Sequence, residues 1–426
     1  MNVLILGAGG REHAIAWALR KSPRLTRLYA APGSPGMAPL AEQTGIDALD
    51  LPRIVSFCRE RAVGLVVIGP EAPLAAGAAD ALAAEGVRVF GPTRAAAQLE
   101  SSKSFAKFFM KRHGIPTARF AVCTGHEEAL ASLPSFGPRV VVKADGLAAG
   151  KGVSVCREPG EAERALREAM LDKTYGAAGA TVVLEELLEG REVTLMAVCD
   201  GERFALLPSS QDHKRLREGD AGPNTGGMGA IAPAPAATPE LIERVRREVF
   251  EKVLSGLKAD GTVFRGVLYA GLMLTREGPK VLEFNTRFGD PETQAVLPLL
   301  EDDLLDLLEA AADGRLGAAP LRQRPGACVC VVLAAQGYPE APVAGAAVTG
   351  PIAPPAEEAE LLVFHAGTVR EGPLWRVKGG RVLGVTALGP DLDAARERAY
   401  AAVDRIRFAG MQFRRDIGAS STECAC

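Results

Sequence analysis

The sequence predicts a multidomain protein of mixed α/β and α+β class that opens on a doubly wound parallel sheet. Three observations predict it. The chain has 426 residues, enough for about three domains of roughly 150 residues, each able to bury a core. Its N-terminal quarter alternates short apolar runs with amphipathic stretches, the pattern of strand–helix–strand units. A Pro, Arg and Gly stretch, LRQRPGA at 321–327, then separates the middle of the chain from a last strand-rich region.

In order, VLILG reads as a strand and is followed by a helix through Ile15 and Leu19. LVVIGPEAP is a further strand, a helix runs from about Ala75 to Ala84, and VRVFGP closes the sheet at Gly91-Pro92. The helix through Phe105 to Met110 begins a new unit. From Pro116 to about Gly190, the strands RFAVC, RVVVKAD and TVVLEEL surround a helix rich in Ala and Glu, a compact α+β lobe. A longer stretch to about Leu321 holds a helix from Pro239 to Leu257, the strand pair GVLYAGLML and KVLEFN, and a helix near Asp303 to Ala312. The last region starts on the strand ACVCVVLAA and ends on the helix ARERAYAAVDRI. Expected domains are therefore 1–101, 102–323 with a small lobe at about 120–191, and 324–426.

Charge excludes some function classes. With 49 basic and 52 acidic side chains, net −3, no cation excess neutralises a nucleic-acid backbone or an anionic membrane. No apolar run approaches the roughly 20 residues that span a bilayer, and MNVLILGAGGREHA reads as a strand and not as an export signal. A cytoplasmic protein is expected. The eight cysteines show no zinc-ligand spacing and read as buried thiols. Cys328 and Cys330 share one face of a strand, and Cys424 and Cys426 belong to a frayed tail.

The chemistry gathers at the strand VLEFN. Alternation puts Val281, Glu283 and Asn285 on one face and Leu282 and Phe284 on the other. A carboxylate and an amide two residues apart offer hard oxygens to magnesium, which fills its remaining positions with water and phosphate. Alone, such a pair is more often a solvated strand face. Here it runs into TRFGDPETQ, where Arg287, Asp290 and Glu292 crowd a turn at the edge of a rigid strand. Upstream, Lys143 leads into a loop with Gly146, Gly150 and Gly152, which suits phosphate oxygens. It is not a Walker loop, and a plain hairpin is the alternative. Glu185, Glu186 and Glu192 follow a buried-type strand and can hold adenine and ribose or be surface charge. Residues 208–230, with Asp212, His213, Lys214 and Arg215 in a row, form a long aperiodic loop of the kind that carries function. In GAGGREHA, Gly9, Gly10 and Arg11 suit a phosphorylated small substrate, while Glu12 stands where a dinucleotide fingerprint needs glycine.

Together these residues resemble the glycinamide ribonucleotide synthetase family of the ATP-grasp superfamily. The likeness runs almost end to end. It is carried by GAGGREHA, GPEAPL, FGPTRAAAQLESSKSFAK, KADGLAAGKGV, EELLEGRE, SSQDHKR, PNTGGMGA and LEFNTRFGDPETQ, and then by GYP, FHAGT and GGRVLGVTALG. The resemblance implies a central ATP-grasp fold of two lobes, with a small α+β domain after it. It also implies ATP-dependent ligation of glycine to 5-phosphoribosylamine through glycyl phosphate, with Mg²⁺ or Mn²⁺, by a monomer. By the same likeness, Lys103 and Lys143 contact ATP phosphates, Glu185, Glu186, Leu188 and Glu192 hold the adenosine, and Glu283 and Asn285 bind the metal. Arg287 stabilises the acyl phosphate, and Asp212 and Asp290 orient glycine or the attacking amine. Glu71, Lys214 and Glu292, with Gly9, Gly10, Arg11 and Glu12, complete the substrate contacts. Ala8, Ile231 and the segment PGSPGM depart from the family's usual residues. Rival readings are another ATP-grasp carboxylate ligase or carboxylase and a nucleotide-binding sensor without turnover; a dehydrogenase is disfavoured by Glu12.

Overall fold

The computed structural model describes residues 1–147, 152–353 and 360–419; Gly150, Cys424 and Cys426 lie outside them. The strand Asn2–Gly7 is the middle of a five-stranded parallel sheet, between Arg27–Pro32 and Val63–Ile68, with Glu42–Gln43 and Val89–Phe90 at the edges. Parallel strands are covered on both faces. Val3 and Ile5 accordingly pack with Ile15 and Leu19 of the helix Gly10–Leu19, while Leu4 and Leu6 pack with Ile54, Leu74 and Leu82 on the other side.

After the helix Lys103–Arg112, capped by Ser102 accepting from the Phe105 N–H at 3.1 Å, comes a four-stranded antiparallel sheet. Its order is Phe120–Cys123, Val182–Glu186, Val140–Ala144, Val153–Cys156. A second antiparallel sheet holds Phe204–Leu206, Arg191–Asp200, Arg265–Thr275 and Gly278–Asn285. The expected helix from Pro239 is a continuous run to Ala259 with a π-helical turn at Arg246–Phe250.

Two local expectations change. Residues 208–230 are not structureless: Gln211–Asp212, Arg215–Arg217, Ala221–Asn224 and Gly229–Ala232 are short strands. Gly229–Ala232 is buried throughout and pairs with Ala327–Ala334, so this segment completes the C-terminal sheet, which continues through Arg381–Gly389 to Leu361–His365. Four residues are too few to show a strand period. The second change is in the strand that carries Glu283. Gly271 pairs with Glu283 and Leu272 with Val281, leaving Leu282 as a bulge. A bulge resets alternation, so Val281 joins Phe284 in one core instead of facing the other way. Glu283 and Asn285 still share a face. The paired cysteines behave as expected: Cys328 and Cys330 lie in one core and Val329 and Val331 in another.

Candidate active site

The four sheets meet around an open cleft of about 1130 Å³. The bulged strand delivers Glu283 and Asn285 to its floor, and the lobe of residues 120–186 forms a wall. Lys143, almost fully buried, stands 2.8 Å from Glu185 Oε1 and donates to the Leu282 carbonyl at 3.1 Å. The bulge thus presents the carbonyl that orients this lysine. Lys103 donates to the Gly146 carbonyl at 2.9 Å; Gly146 has φ +145, which L side chains rarely adopt. Gly152 and Leu188 also line the cleft. The Glu186 carboxylate accepts from the Arg119 N–H at 3.0 Å and lies 3.5 Å from Lys280.

Lys214 Nζ is 3.3 Å from Glu283 and 3.7 Å from Glu192. Lys214, helped by Lys143 and Lys103, pulls the Glu283 carboxyl down to about 2 against the opposing effect of burial. Asp212 is pushed the other way, by burial and by the carboxylates of Glu292, Glu192 and Glu283, with Lys214 opposing. Neighbouring carboxylates in one cleft therefore differ in proton affinity, an arrangement suited to distinct roles.

Arg287 donates to Asn285 Oδ1 at 3.1 Å, lies 3.0 Å from Glu100 Oε1 and 3.6 Å from Glu71 Oε2. Asp290 faces Arg381 at 3.0 Å and accepts from Gln294 at 2.8 Å. Glu292, buried, accepts from the Tyr269 hydroxyl at 2.8 Å. Arg11 lines the cleft with its Nη1 on the Phe288 carbonyl at 3.2 Å. Glu12 points inward, taking the Gly9 N–H at 2.7 Å and Arg11 Nε at 2.5 Å, where it closes the first turn of the helix. Gly9, Gly10 and Glu12 do not line the cleft, although a Cβ on Gly9 would fall 3.8 Å from Asp290 Oδ2.

Three family profiles tile the chain: phosphoribosylglycinamide synthetase N domain over residues 1–100, ATP-grasp (A) domain over 101–293, and C domain over 328–420. The chain belongs to the phosphoribosylglycinamide synthetase family. It is 52% identical to a phosphoribosylamine–glycine ligase of Phenylobacterium zucineum over 98% of this chain and 99% of that one. The crystal structure of such a ligase from Thermotoga maritima superposes with a TM-score of 0.84 at 36% identity, covering 98% and 100% of the two chains. A biotin carboxylase from Campylobacter jejuni, at 16% identity and TM-score 0.74 over 98% and 94%, shares the fold. Most of the candidate residues drawn from the family likeness thus meet in one cleft.

The donor set suits a hard divalent ion. Glu283 is held ionised, and Asn285 offers an amide oxygen that here accepts from Arg287. Among the described residues no three His, Cys, Asp or Glu converge as a closed cage, so the pair suits an ion that draws its other ligands from water and phosphate. Sequence reasoning missed Lys107, Glu100, Tyr338 and Arg381, all on the cleft wall. Lys107 had a signal: it lies one helical turn from Lys103, on the same face. Arg381 lies within the motif GGRVLGVTALG, but nothing in that motif brings it to the cleft, which it reaches from a strand far along the chain.

Proposed function

We propose that this enzyme joins glycine to 5-phosphoribosylamine at the expense of ATP, giving glycinamide ribonucleotide, ADP and phosphate in purine biosynthesis. The observation that carries it is the meeting of Lys103, Lys143, Glu283, Asn285 and Arg287 in one cleft, in a chain matched over its length by a ligase of that name. A glycine carboxylate oxygen attacks the γ-phosphorus and ADP leaves. The amine then attacks the glycyl carbonyl carbon, phosphate departs, and the amine gives up a proton. Lys103 and Lys143 hold phosphate oxygens, which is most of what phosphoryl transfer asks of a protein. Gly146, Gly150 and Gly152 are assigned to the same phosphates, and Glu185, Glu186, Leu188 and Glu192 hold the adenosine. Arg287 faces the charge that develops on the carbonyl oxygen. Asp212, raised in proton affinity, orients the amine and accepts its proton, and Asp290 orients glycine or the amine. Arg11, Glu71, Lys214 and Glu292 contact the substrates. A divalent ion at Glu283 and Asn285, Mg²⁺ or Mn²⁺, supplies charge that neutralises the phosphates.

In this reading residues 1–101 form the substrate domain, 102–323 the ATP-grasp domain with its lid at about 120–191, and 324–426 the C-terminal domain of a cytoplasmic monomer. No helix among the described residues is long and apolar enough to cross a membrane. ADP release measured with ATP and magnesium tests the reading. It should require both glycine and phosphoribosylamine; release driven by bicarbonate would refute it.

A further inference from the structure

Lys107 takes no part in the steps above, yet it is among the most deeply buried charged groups of the described residues, at 2% exposure. Its Nζ is 2.7 Å from Glu185 Oε2 and donates to the Thr117 hydroxyl at 2.8 Å. The other Glu185 oxygen lies 2.8 Å from Lys143 Nζ, which donates on to the Leu282 carbonyl. The Thr117 hydroxyl in turn donates to the Val281 carbonyl at 2.7 Å. Both routes end at the bulge of the strand that carries Glu283.

A buried ammonium is costly unless paired, and burial draws Lys107 down to about 8 while Glu185 opposes the shift. Glu185 is itself only 2% exposed. One carboxylate thus serves two lysines, so the trio carries a net positive charge in the cleft wall. Packing alone would be better served by apolar side chains. An unbalanced cation beside a phosphate-facing lysine is instead suited to an anionic ligand.

We infer that Lys107 is a positioning residue for the nucleotide: by occupying Glu185 Oε2 and the Thr117 hydroxyl, it fixes Glu185 Oε1 under Lys143 and aims the Lys143 ammonium at the phosphates. The inference rests on the ligase reading only in taking Lys143 as a phosphate contact.

The test is the calorimetric affinity for ADP with magnesium, without glycine or phosphoribosylamine, for wild type, Lys107→Met, Glu185→Gln and the double variant. Lys107→Met should weaken ADP about tenfold, as a misplaced contact does. In the Glu185→Gln background the same substitution should change affinity by less than about twofold, because the two residues act as one unit. Additive effects, or a Lys107→Met protein with wild-type affinity, would overturn it. Should Lys107→Met fail to fold, Thr117→Val decides: weaker ADP binding is expected, and unchanged affinity would overturn the inference. A wild type that binds ADP but gives no glycine-dependent ADP release would sink the ligase reading and leave the affinity cycle intact.

Discussion

Arg381 Nη2 lies 3.0 Å from Asp290 Oδ2, joining a strand of the C-terminal sheet to the turn that follows the metal-type strand. Arg381 also donates to the Asp290 backbone carbonyl at 2.7 Å. The guanidinium, with Arg11, keeps the Asp290 carboxyl below its usual range although burial opposes this. Arg381→Met should therefore lower kcat/KM by about 10²-fold through misplacement of this turn, with a native far-UV spectrum. Steady-state kinetics check it, and a rate within twofold of wild type would make the pair dispensable.

Glu283 sits where three lysines hold it ionised. Glu283→Gln keeps the size and removes the charge. Turnover should fall by more than about 100-fold, beyond the usual effect of disturbing a group that only supports a metal ligand, and Mn²⁺ affinity with ADP present should fall too. Electron paramagnetic resonance titration reads the second effect; wild-type affinity there would remove the metal role.

The parallel sheet was legible because continuous apolar runs such as VLILG are required where both faces are covered. Glu283, Asn285, Arg287 and Asp290 were legible because they are close in sequence at one strand end. The Leu282 bulge was not, since it is set by pairing with Gly271 and Leu272 and not by its own residues. Nor was the burial of Lys107, whose partners Glu185 and Thr117 come from other elements. Glu12 shows the reverse: a charge in a glycine-rich loop looked like a ligand group and is placed on a backbone N–H of its own turn.

His13 accepts from the His365 N–H at 2.9 Å, and burial together with His365 lowers its pKa from 6.5 to about 3. The unfolded chain takes up a proton near pH 6.5 that the folded chain refuses until about pH 3, so stability is lost as pH falls through this window. The loss from one such group is about 1.4 kcal/mol per pH unit. Denaturant titrations between pH 7 and pH 4 should show a shallower slope for His13→Asn. Parallel slopes would mean that His13 is protonated in the fold.

Gly36 packs against His365 from the other end of the chain: a Cβ there would fall 2.2 Å from His365 Cβ. His365 cannot readily yield, because its ring is held by Thr368 at 3.0 Å and the Ile352 carbonyl at 3.1 Å. Gly36→Ala should cost roughly 1–3 kcal/mol by overpacking, seen as a lower Tm. An unchanged melt would show that this contact is loose.

The formation of glycyl phosphate in the cleft of Lys143, Glu283 and Arg287 is tested most directly with glycine labelled in both carboxylate oxygens with oxygen-18. Mass spectrometry of the phosphate released in a complete reaction should find one labelled oxygen in each molecule, carried from glycine through the acyl phosphate. Unlabelled phosphate, formed at the same rate as ADP, would contradict carboxylate activation and with it the roles given to these residues.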